Sequence, residues 1–114
     1  MEIVHQKISI DKLKKMSEKM FEGLVKAVVD IEKKIMVVDA ELHSDEENLL
    51  LEEGSQQQNL WGINLYPGNV ENEKWIEFDS MINIRPSQGN RSRGVENQQI
   101  QQKIKTIVNQ LVTK

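Results

Sequence analysis

The stretch LVKAVVDIEKKIMVVDAEL, residues 24–42, admits two foldings, and the choice between them sets the architecture. Leu24, Val28 and Ile31 fall at helical spacing and would prolong a preceding helix. Against that, Val25, Ala27, Val29 and Ile31 alternate with Lys26, Val28, Asp30 and Glu32, and Val37 and Val38 add to the β-branched content. β-branched side chains lose rotamer freedom in a helix and pack well on a pleated surface. The stretch is therefore read as a hairpin, with its turn near Glu32 and Lys33.

Upstream of the hairpin, Leu13, Met16, Met20 and Leu24 form one apolar stripe, while Lys12, Lys14, Lys15 and Lys19 face water. This predicts a first helix over about 11–22, capped by Asp11 and ended by Gly23. Ile3-Val4 offers a short strand before it. Downstream, SDEENLLLEEG carries Ser44 and Glu47 in capping-box spacing and Gly54 at its end, predicting a second helix over 44–53. LWGINLYP places Trp61, Ile63 and Leu65 on one face of a strand and Gly62, Asn64 and Tyr66 on the other. WIEFDSMINIR, residues 75–85, alternates throughout, so it is read as an unbroken strand paired with the previous one across the 67–74 loop. A third helix, over about 97–112, follows from the cap Asn97 and the stripe Ile100, Ile104, Ile107, Val108 and Leu111.

Each element has one greasy side to bury, which points to an α+β fold. The expected form is a two-layer sandwich, a mainly antiparallel sheet of four to five strands with helices mostly on one face. A chain of 114 residues, 38% hydrophobic, is one domain's worth of material, spanning 1–114. With no cysteine it has no disulfide, thiolate metal site or thiol nucleophile. No apolar run suits a signal peptide or a membrane span, and a cytoplasmic location is expected. The net charge of −3 argues against a surface that binds nucleic acid throughout, though a local basic patch is compatible with it.

Such a patch is present. INIRPSQGNRSRGV, residues 82–95, holds Arg85, Arg91 and Arg93 and no acidic residue, whereas 39–53 is acidic without lysine or arginine. Strand parity places Asn64, Tyr66, Glu77, Asp79, Asn83 and Arg85 on the sheet face away from the helices. A strand, a glycine-containing loop and a helix start is an arrangement in which free amides and guanidinium forks hold a phosphate or carboxylate. Asn83, Arg85, Arg91 and Arg93 are thus the candidate ligand-binding residues. The competing reading pairs Arg85 or Arg93 with Asp79 or with the acids of the second helix.

His43, before the second helix, is the candidate acid–base residue. Beside an arginine-held phosphoester it would move a proton, as in a small hydrolase or nuclease. His43 with Asp45, Glu47 and Asp79 lacks the spacing of a metal site, and no metal or cofactor is expected. Trp75, outward by the same parity, would suit an interface, so protein–protein contact or a homodimer through the sheet face or edge is the alternative.

VVDIEKKIMVV, ELHSDEENLLLEEGS, LWGINLYP and INIRPSQGNRSRGV, in that order, resemble a family of small bacterial and archaeal proteins known as a conserved domain of unknown function. The resemblance covers most of the chain and implies a stand-alone soluble protein. It carries over no catalytic or binding residue. From the residues themselves, the leading expectation is the binding of an anionic ligand, a phosphate-bearing small molecule, a nucleic-acid phosphate or a carboxylate.

Overall fold

The computed structural model describes residues 1–20 and 22–114. In chain order its elements are β1 (Glu2–Val4), β2 (Ile8–Ser9), α1 (Ile10–Ser17), β3 (Val25–Asp30), β4 (Ile35–Val38), α2 (His43–Glu52), β5 (Leu60–Leu65), β6 (Ile76–Glu77), α3 (Gln98–Leu111) and β7 (Val112–Thr113). The 24–42 stretch is a hairpin. Its turn is held by the buried Asp30, whose Oδ1 accepts from the amides of Glu32 and Lys33 at 2.9 and 3.0 Å, while Oδ2 accepts from Ser55 Oγ at 2.6 Å. Lys34 completes the turn in the left-handed region, at φ 59°.

The fold is α+β. Five strands form an antiparallel sheet in the order β1-β4-β3-β5-β6, and β2 pairs with β7 in a separate parallel ribbon. Strand parity sorts the core into two halves. Val25, Ala27, Val29, Met36, Val38, Trp61, Ile63 and Leu65 meet Leu13 and Met16 of α1 and Ile104, Ile107, Val108 and Leu111 of α3 on one face. Val28, Val37 and Leu60 meet Leu50 of α2 on the other. Two helices lie on one face, as expected, but the second face is not the polar surface anticipated, because α2 and the 81–83 segment cover it. No helix among the described residues is long and apolar enough to cross a membrane.

Helix boundaries shift for identifiable reasons. α1 begins before Asp11 because Ser9 is its cap, with Oγ accepting from Lys12 N at 3.1 Å. It closes at Ser17, short of the expected end at about 22: residues 18–20 and 22 form turns and a bend, and Phe21 lies outside the described residues. α2 starts at His43, so Ser44 is already inside it and the anticipated capping box does not form; Glu47 is buried instead. α3 is capped by Asn97, whose Oδ1 accepts from Gln99 N and Ile100 N.

The largest correction concerns 75–85. Strand pairing there covers only Asn64↔Glu77 and Leu65↔Ile76. Trp75 belongs to a 3-10 turn, Glu73–Trp75, so parity does not reach it: Trp75 and Ile76 both enter the α1–α3 core, and Trp75 is buried rather than outward. A second 3-10 turn, Met81–Asn83, opens where Ser80 Oγ accepts from Ile82 N. This turn reverses the expected facing of residues 83–85, with Asn83 and Arg85 buried and Ile84 exposed. Short polar side chains competing with the ladder for backbone groups account for the break.

Candidate functional site

The arginine-rich segment is first a structural device. Beyond its two pairings with β6, the outer edge of β5 has no strand beside it among the described residues, and side chains take over. The carboxamide of Asn83 accepts from Gly62 N at 2.8 Å and donates to Gly62 O at 2.9 Å, which is the bond pair a strand residue would make. Arg85 continues the row, donating from Nη2 to Leu60 O at 2.6 Å and from Nη1 to Gln57 O, with its guanidinium 4.1 Å from the centre of the Trp61 ring. Gly62 permits the close approach, since a Cβ there would lie 2.6 Å from Ser80 Cβ.

The next loop satisfies its own anion-binding amides. Asn90, buried, donates to the carbonyls of Asn83, Ser92 and Gly94 and accepts from Glu96 N. Glu96 Oε2 accepts from the amides of Arg91 and Ser92 at 2.7 and 2.8 Å. Those bonds hold the Glu96 carboxyl below the usual carboxylate range. With Asn97 on the first amides of α3, both backbone positions at which a phosphate was expected are occupied by the chain's own side chains. Arg91 is exposed, and Arg93 pairs through Nε with Asp79 Oδ1 at 2.6 Å.

Arg93 and His43 nevertheless meet, at a cleft of about 200 Å3 between the start of α2, the second face of the sheet and residues 79–82. Lys26 of β3 and Asn64 of β5, directly opposed in the sheet register, form part of its lining. Leu42, Met81 and Ile82 supply the apolar part, and Leu42 and Met81 are more than half exposed. Asn83, Arg85 and Arg91 do not line it.

His43 Nε2 lies 2.7 Å from Ile63 O. A carbonyl only accepts, so Nε2 carries the proton, and the lone pair of the neutral ring sits on Nδ1, which has no hydrogen-bond partner among the described residues. Burial pushes the His43 pKa down. The carbonyl bond to Ile63 opposes that, Lys26 and Arg93 add to it, and Asp79 offsets part of it. Asn64 is fixed in the same way: Nδ2 donates to Glu77 Oε1 at 2.8 Å and to Asp79 O at 3.4 Å, so the amide has one possible orientation. Its Oδ1 is buried without a partner.

The start of α2 is also distinctive. α1 and α3 have side-chain caps, but Leu42 gives α2 none, and His43 and Ser44 of its first turn line the cleft. A larger hollow of about 620 Å3 lies between α3 and the β3–β4 turn. Its glutamines, lysines and aliphatic side chains include no buried polar atom without a partner. Among the described residues no three histidine or acidic side chains gather to hold a metal ion.

His43, Arg93, Asp79 and Asn64 were singled out from the sequence, though as parts of a different surface. Lys26 was missed; only the register Lys26↔Asn64, which alternation does not supply, brings it to the cleft. No curated protein and no solved structure gives a significant match to the chain. A family model does match, over residues 2–111, and the chain belongs to that family, described as Protein of unknown function (DUF5674).

Proposed function

We propose that the protein binds a small anionic molecule in the His43 cleft, with Arg93 and Lys26 as its charged contacts. The observation that carries this reading is the convergence of three positive features on one depression: the uncapped first turn of α2, Lys26 and Arg93. Free amides at a helix start favour negative charge, and two cations beside them add to the same potential. Asp79 engages Nε of Arg93, while the terminal guanidinium nitrogens have no hydrogen bond among the described residues. At about 200 Å3 the cleft falls below the roughly 300–1,000 Å3 that holds drug-sized ligands, so the ligand is small. The expected arginine constellation narrows in this reading to Arg93, because Asn83 and the terminal nitrogens of Arg85 bond inside the fold and Arg91 does not line the cleft.

A thermal-shift screen of small carboxylates and phosphates tests the reading. Binding members raise the melting temperature, and the combined K26A and R93Q changes abolish the rise, whereas R91A leaves it intact. A rise that survives the double change places the anion elsewhere, and no rise with any acid removes the proposal.

A further inference from the structure

The positive features account for only half of the cleft. Beside the hydroxyls of Ser44 and Ser80 and the Asp79 carboxylate, its lining includes one acceptor of fixed tautomer, His43 Nδ1, whose lone pair is left free because Nε2 is committed to Ile63 O. A simple anion does not satisfy it, and would bring further lone pairs towards it. Leu42, Met81 and Ile82 add an apolar wall that an inorganic ion does not use.

We infer that the ligand is an acid that also carries an N–H donor on an apolar body, the layout of an N-acylated amino acid or of an acidic side arm on an N–H heterocycle. Its acid group meets Lys26, Arg93 and the first turn of α2, its N–H meets His43 Nδ1, and its apolar part lies against Leu42 and Met81. The orientation of this acceptor is set by the fold, because Nε2 is tied to Ile63 O at 2.7 Å. His43 stays neutral at pH 7, because burial opposes its charging. An acceptor held in that state disfavours a ligand that meets it with an oxygen, since two lone pairs then face each other where a hydrogen bond would form.

This inference rests on the anion reading, and matched probes separate the two. One set is N-acetylleucine, 2-acetoxy-4-methylpentanoate, in which oxygen replaces N–H, and N-acetylleucinamide, which lacks the acid. The second is indole-3-acetate, benzofuran-3-acetate and indole-3-acetamide. Titrations followed by NMR at the Asn64 side-chain amide and the His43 ring report the cleft directly. In at least one set the N–H acid binds roughly tenfold or more tightly than its oxygen analogue, and the amide binds more weakly still. If acids bind in the cleft and N–H acids show no preference over oxygen analogues in either set, the inference is overturned and anion binding stands. If no acid of either set perturbs the two residues, both fall.

Discussion

Replacing Glu46 by glutamine should stabilise the protein increasingly as pH rises. Glu46 has no exposed surface; its Oε2 accepts from Ala40 N at 3.2 Å, and its Oε1 has no partner. Burial is the main cause that pushes its pKa from 4.5 up to about 10, with the Ala40 amide and Lys26 offsetting part of the rise and Asp39 adding to it. The folded protein therefore keeps this carboxyl protonated across neutral pH while the unfolded chain ionises it. A raised pKa makes a contribution that is fully present below the unfolded value and is lost as pH climbs towards the folded value. Each unit corresponds to about 1.36 kcal/mol, so between pH 5 and pH 8 the native chain loses about 4 kcal/mol through this one group. That is a large share of the roughly 5–15 kcal/mol that holds a typical domain together. The glutamine of E46Q has the shape of the protonated acid and cannot ionise. Any fixed cost of its extra N–H is the same at every pH, and His43 titrates alike in both proteins. Urea unfolding at pH 5, 6, 7 and 8, followed by the fluorescence of Trp61 and Trp75, should show the difference between E46Q and parent growing in favour of the variant by about 4 kcal/mol. Parallel pH profiles would refute the reasoning and mean that Glu46 is ionised in the folded state.

Asn83→Ala leaves both polar groups of Gly62 without their partner and should cost about 3 kcal/mol in chemical denaturation; a loss under about 1 kcal/mol would show that the edge of β5 is satisfied some other way. Gly62→Ala drives a methyl into Ser80 and should cost about 1–3 kcal/mol, with chemical-shift changes concentrated at residues 80–83; a neutral result would contradict the close approach. For His43, NMR titration should place the midpoint below 6.5, with the proton of the neutral ring on Nε2. The unfolded chain then binds the proton first, so the His43 contribution to stability is intact above about pH 6.5 and is lost as pH falls below it. A midpoint above 6.5 would reverse that sign.

What the sequence disclosed tracks the strength of its periodic signals. α3 is legible from one amphipathic stripe and its asparagine cap, and the hairpin at 24–42 from dense β-branching, because both arise from burial of one face. The 75–85 segment failed because apolar and polar residues also alternate where the chain makes turns. The warnings were local: Ser80 and Asn83 are residues whose side chains compete for backbone groups, and Gly62 in mid-strand marks a close approach. The same failure redistributed the candidate site. Asn83 and Arg85 turned inward, while Arg93, reached through a loop that parity does not govern, came to lie near His43. Lys26 was invisible because a lysine on a strand carries no sign of its cross-strand neighbour.

The edge of β5 carries a consequence beyond folding stability. An unpaired strand edge is a template on which another chain can add its own strand, and proteins usually blunt it with a bulge, a proline or a covering helix. Here two side chains seal it, Asn83 over Gly62 and Arg85 over Leu60. Resistance to self-association by strand addition is therefore concentrated in two side chains rather than spread along a backbone ladder, and their loss would turn a sealed edge into a seed for ordered aggregates.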